Sequence, residues 1–221
     1  MRTVPFVILL SVLLSTSSYS AAQDFNIFEG KFTLHSSFGI PFTGYGHTFD
    51  EYGYWEKDWQ YQVIFAFKMG NLWSFYSWDH FGIGMKMNWL EVSYTQRNID
   101  LQDIYIHRFT VDFSAGAFGP LFIFAFNNKM CLDLYYNLRP TFMIATSVES
   151  GSLDYYKDYY EQLSMGFTNV FGCSYRFYVL SVGLEYLYGN LPDLDYIDER
   201  GYFDGPKLVN SCIRLVVGVA L

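Results

Sequence analysis

From residue 26 onward the apolar and polar positions alternate with a period of two, the spacing of strands that show one face to each of two environments. Phe28, Gly30, Phe32, Leu34 and Phe38 oppose Glu29, Lys31, Thr33 and His35. A longer run sets Trp59, Tyr61, Val63, Phe65, Phe67 and Met69 against Gln60, Gln62, Ile64, Ala66 and Lys68. In the third run Phe81, Ile83, Met85, Met87 and Trp89 oppose Gly82, Gly84, Lys86 and Asn88. The phase then slips, so that Leu90, Val92 and Tyr94 oppose Glu91 and Ser93, which predicts a β-bulge near 89–90. A fourth run places Phe109, Val111 and Phe113 against Arg108, Thr110, Asp112 and Ser114. A fifth places Leu132, Leu134, Tyr136, Leu138 and Phe142 against Asp133, Tyr135, Asn137, Arg139 and Thr141, with Pro140 removing a ladder donor and implying a local distortion. Three further runs, around 162–174, 180–188 and 212–221, repeat the scheme with Glu185 and Arg214 on the polar rows.

Eight such runs are joined by connections that alternate in length. Those at 41–57, 96–105, 146–161 and 191–206 are long and acidic, whereas 127–129 and 176–178 are tight. Long loops at one end and short turns at the other predict an all-β, antiparallel up-and-down barrel of eight strands, with both termini at the short-turn end. Two stretches leave the path open. Residues 70–80, GNLWSFYSWDH, fit a long turn or strand extensions, and GAFGP at 116–120 fits a bulge or an extra turn.

Ahead of the first run, Arg2, an apolar stretch from Val4 to Leu14 and small residues at Ser18, Ser20 and Ala22 form a cleavable secretory signal, expected to span 1–22 and leave one domain over 23–221. Its removal takes one basic residue from the 14 of the full chain, against 22 acidic ones, for a net charge of about −9. That balance excludes a nucleic-acid partner, since a phosphate backbone rewards basic surface. After the leader there is no run of about 18 apolar residues, so a bilayer can be crossed only by strands. The three cysteines, Cys131, Cys173 and Cys212, are an odd number for a secreted chain. Parity places Cys131 inward and Cys173 outward, which favours three unpaired thiols.

Alternation alone does not say which face is inside, because a soluble barrel buries its apolar rows and a membrane barrel shows them to lipid. Bulk decides. Eight strands enclose a space just wide enough for side chains to fill, and aromatics make up 21% of this chain, 22 of them Phe and 20 Tyr. The apolar rows are too large for that interior; the rows of Gly, Ala, Ser, Thr and scattered charges fit it.

A cleavable signal, eight amphipathic strands, short turns alternating with acidic loops and a strand at the C-terminus resemble the small outer-membrane barrels, the group that includes OmpX, OmpW and the OmpA transmembrane domain. The resemblance runs over the whole mature chain and rests on pattern. It implies residence in the outer membrane of a diderm bacterium, contact with outer-membrane lipid, and insertion by the barrel assembly machinery through the C-terminal strand. It also implies a lumen filled by a polar network of Glu29, Lys31, Lys86, Arg108, Asp112, Asp133, Arg139, Glu185 and Arg214, in which Arg214 meets Glu29, Asp112, Asp133 or Glu185.

The loop chemistry points outward. Asp193, Asp195, Asp198, Glu199 and Asp204 lie in a carboxylate-rich stretch that lacks the glycine and spaced glutamate of a calcium loop, so no metal or cofactor is expected. Tyrosines among the acids, as in DYYKDYYEQ, offer flat amphipathic surface to an extracellular partner. Catalysis would need a nucleophile beside a base. His35, set near the outer end of the first strand, faces in while Ser36 faces out, which separates the most obvious pair. The expected role is therefore a non-enzymatic surface, structural or adhesion-type protein, with passage of small hydrophobic molecules as the alternative and a lipid-modifying enzyme as the third.

Overall fold

The computed structural model describes residues 27–41, 63–101, 104–151, 157–192, 194 and 207–221. The expected leader at 1–22 and positions 59–62 of the second run lie outside these residues. Eight strands follow in chain order: β1 (Lys31–Pro41), β2 (Val63–Ser77), β3 (Phe81–Leu101), β4 (Ile104–Asn127), β5 (Met130–Gly151), β6 (Lys157–Phe177), β7 (Leu180–Pro192) and β8 (Lys207–Ala220). Each pairs antiparallel with its sequence neighbours, and β8 returns to β1 to close the ring. Closure extends to the last residue, for Leu221 exchanges both backbone hydrogen bonds with Phe32, at 2.9 and 2.7 Å. No edge is left along this seam, as a barrel in lipid requires.

Side-chain exposure assigns the faces. Phe65 (49%), Phe167 (59%) and Val182 (51%) are exposed, whereas Lys68 (1%), Glu185 (2%) and Arg214 (0%) are buried. Apolar outside and charged inside is the polarity of a membrane-spanning β-barrel.

The expected bulge is present. Between the β2–β3 pairs Met69↔Leu90 and Gly70↔Asn88 the register slips around Trp89. GAFGP is a second bulge inside β4 rather than a turn, so the even strand count survives. Against β5 the register slips between Phe113 and Phe118, and Gly116 takes a positive φ of 72°, a conformation that glycine adopts without penalty. The two bulges lie opposite each other, between the β3–β4 pairs Asn88↔Ala117 and Leu90↔Ala115, so that ladder runs through unbroken. Pro140 falls in the stretch of β5 where β4 pairing is interrupted, between Phe142 and Leu138, so its missing N–H coincides with a gap already made by the bulge.

Several boundaries differ from the sequence expectation. Residues 70–77 extend β2, leaving Trp78–His80 as the turn. The joins at 96–105 and 146–161, expected as long loops, are mostly strand: β3 and β4 continue to the pair Leu101↔Ile104, and β5 and β6 to Ser150↔Lys157. Their acidic and polar character marked them as loop, and the backbone pairing shows them as strand. Among the described residues, β2–β3 pairing runs to Val63↔Gln96 and β6–β7 pairing to Asn169↔Tyr188. At the opposite end residues 27–30 form a turn before β1, and Phe28, expected on the outward row, packs instead with the buried cluster around Ile27 and Leu72.

A candidate functional site in the lumen

Inside the barrel the inward side chains form layers. On the loop side Ile64, Met143, Val170, Leu187, Leu191 and Cys212 make an apolar cluster. On the turn side Ile27, Leu72, Leu121, Ile123, Cys131 and Tyr135 make another. Charged groups occupy the space between and beside these clusters, each of them buried.

Three charge groups are stitched across this layer. In the first, Arg139 on β5 bonds Asp112 on β4 and reaches Glu91 on β3 at 3.3 Å. Arg214 on β8 donates to the same Glu91 at 2.5 Å and lies 3.9 Å from Asp112, which also accepts from the Ser93 hydroxyl. In the second, Lys68 on β2 bonds Glu185 on β7, and the Tyr135 hydroxyl donates to the same carboxylate at 2.6 Å. Lys86 stands 4.0 Å from Glu185 with its ammonium 3.4 Å from the centre of the Tyr135 ring, a cation–π contact. In the third, Arg176 on β6 grips Asp133 on β5 through Nε at 2.6 Å and Nη2 at 3.0 Å, a bidentate pair. Opposite strands are thereby tied through the lumen, and each charge taken from water meets a counter-charge or a ring face.

Six of the nine predicted lumen residues belong to this assembly: Lys86, Asp112, Asp133, Arg139, Glu185 and Arg214. Glu29 does not. It sits exposed in the turn before β1, because the strand begins at Lys31, three residues after Phe28, where the alternating run starts. Lys31, the first residue of β1, is half-buried at the turn-side mouth, outside the buried layer. Arg108 lies in β4 opposite Arg97 and Ser147, with its side chain outside the described residues. Arg214 finds Asp112 among its expected partners, but its closer partner is Glu91. Its cross-strand neighbour Glu185 is already taken by Lys68 and Tyr135.

Lys68 and Glu91 stand on the inward rows of the sequence pattern and join the network. Arg176 was hidden in a presumed turn; one more step of the Ser174 parity would have found it. His35 is buried and Ser36 stands on the other face, as parity required. His35 pairs with Lys68 and Gly218, nearer the turn side than the outer end expected for it. Cys131 and Cys212 are buried, Cys173 is exposed, and all three thiols are free.

Tyr135 owes its place to Gly172 on the neighbouring strand. A Cβ at 172 would lie 2.0 Å from the ring's Cζ, so the ring rests on bare backbone. Gly172→Ala is expected to push Tyr135 off Glu185 and destabilise the barrel by about 1–3 kcal/mol, the cost of overpacking. Adding Tyr135→Leu should recover part of the loss. An unchanged urea midpoint for the single variant would show that the ring is not seated there.

The lumen holds a cavity of about 10 Å3 beside His35, Lys86, Asp133, Tyr135, Ser174 and Arg176, room for about one water molecule.

No protein-family model matches the chain, and no curated protein matches it in sequence. Among solved structures it is similar to Ail, the attachment invasion locus protein of Yersinia pestis, in complex with the heparin analogue sucrose octasulfate. That match has 14% identity over 87% of this chain and 99% of that one, with a TM-score of 0.45. A second structure of Ail matches at 12% identity over 87% and 97%, with a TM-score of 0.41. The outer membrane channel DcaP of Acinetobacter baumannii matches at 6% identity over 87% and 96%, with a TM-score of 0.22.

Proposed function

We propose that this chain is an integral protein of the bacterial outer membrane that acts at the cell surface as an adhesion-type or structural protein, without catalysis. The observation that carries the reading is the filled lumen: buried charged side chains pair across the inside of the barrel, flanked by two apolar clusters. Such a body transmits no solute of appreciable size, and what it offers is outer surface. The outer ends of β5 and β6 are acidic and tyrosine-rich in sequence, with Asp158, Tyr159, Tyr160 and Glu161 in β6, a composition suited to an extracellular partner. The exposed aromatic and aliphatic rows contact outer-membrane lipid, and β8 is the strand through which the assembly machinery would engage the chain. The filled lumen counts against passage of small hydrophobic molecules.

The test is expression in a host stripped of its own surface adhesins. The protein should enter the outer-membrane fraction, migrate differently on a gel before and after boiling, and bind cells to epithelial or matrix surfaces. Replacing 97–108 by a two-residue turn should leave the gel shift intact and abolish binding. Recovery as a soluble monomer without detergent would refute the membrane reading, and adhesion undiminished by the shortened variant would refute the role of the outer ends of β3 and β4.

A further inference from the structure

Charge balance inside the lumen is uneven, and the imbalance is local. Arg139 and Arg214 face Glu91 and Asp112, two against two, and Arg176 faces Asp133, one against one. Lys68 and Lys86, however, share the single carboxylate of Glu185. Lys68 holds it in a direct bond and Tyr135 donates to the same oxygen, which leaves Lys86 at 4.0 Å. Among the described lumen residues the second group therefore carries one positive charge more than its carboxylate cancels, in a buried space where an uncompensated ion is expensive.

The cavity lies at this spot. Lys86 lines it together with His35, Thr33 and Ser181. Thr33 is 0% exposed, Ser181 4% and His35 5%, and Thr33 Oγ1, Ser181 Oγ and His35 Nδ1 make no hydrogen bond within the protein. Each can donate: two hydroxyls rotate freely and the imidazole can carry its proton on Nδ1. The carboxylate on the cavity wall, Asp133, is neutralised by its bidentate pair with Arg176. Unspent donors around an excess ammonium are the makings of an anion site. A cavity of about 10 Å3 admits a monatomic ion little larger than water, with small local adjustment, and excludes phosphate or sulfate.

We propose that the lumen binds a single halide ion, chloride by availability, between Lys86, His35, Thr33 and Ser181, as the counter-ion that completes the charge layer. A buried water would satisfy the hydroxyls but would leave the charge, so the two occupants differ in what they respond to.

Because the lining residues are buried, the ion is best supplied during folding. The full chain should be unfolded in urea and refolded into lipid vesicles in sodium chloride, bromide, sulfate or acetate at equal ionic strength. Chloride and bromide should stabilise the barrel over sulfate and acetate, the folded-to-unfolded ratio rising about tenfold per tenfold halide once the site fills. Lys86→Met, which removes the excess charge with little change of volume, should fold and lose the halide dependence, while Lys129→Met on the exposed turn should keep it. A crystal grown in bromide should show anomalous density in the cavity. Equal stability in all four salts, halide dependence retained by Lys86→Met, or a cavity without anomalous signal would overturn the proposal in favour of water.

Discussion

Arg139→Met is expected to cost about 3–5 kcal/mol, the largest loss from any single lumen substitution, because it strands two buried carboxylates at once. Arg139 is fully buried and joins Asp112 to Glu91, and without it Arg214 must serve both carboxylates, with the Ser93 hydroxyl still on Asp112. Apolar clusters lie on the loop side and the turn side of the lumen. Methionine fills nearly the same volume, so the loss is electrostatic rather than a cavity effect. The control is the double variant Arg139→Met with Asp112→Asn, which removes a charge of each sign. It should recover a substantial part of the loss, since a buried ion pair and an apolar or neutral pair of similar size are nearly equivalent in stability. Urea titration in lipid vesicles, followed by tryptophan fluorescence, measures both. A loss below about 1 kcal/mol, the size of an exposed pair, would mean that solvent reaches the charge layer.

Val217→Arg is expected to destabilise insertion by about 2–4 kcal/mol, and Leu221→Arg by about 0–1, because the cost of a charge on the lipid face falls from the midplane to the interface. Val217 is exposed on β8, four residues further into the wall than Leu221, between Ser36 of β1 and Val182 of β7. Leu221 is equally exposed but stands at the turn-side rim, where arginine can reach headgroups and water. Exposure to solvent would make the two substitutions equally harmless, so their difference, read from the fraction of protein acquiring heat-modifiable gel mobility, measures the hydrocarbon directly. Equal effects would mean that the apolar face does not meet lipid.

Much of the barrel was legible from period-two alternation, because every strand separates two environments and its side chains must sort by parity. The slip at Trp89 was visible as a phase change. Its partner at Gly116 was not, since glycine, alanine and phenylalanine fit a bulge and a turn equally well, and the choice belonged to the register with β5. The ends of β3 to β6 were misjudged for a similar reason. Polar strands that leave the membrane read like loops, and only the pairing of Leu101 with Ile104 and of Ser150 with Lys157 reveals them.

By itself, then, the sequence determined the strand number, the up-and-down order, which rows face in, and that most of the lumen charges would be buried together. These follow from alternation and from the volume eight strands can enclose. Tertiary structure alone decided which charge meets which. Parity places Glu91 and Arg214 on inner walls, but strand stagger sets their heights, and a long guanidinium reaches across the lumen when its cross-strand neighbour is already engaged. It also excluded Glu29 from the network and admitted Arg176, because the first and last residues of a strand are fixed by closure of the ring rather than by their own chemistry.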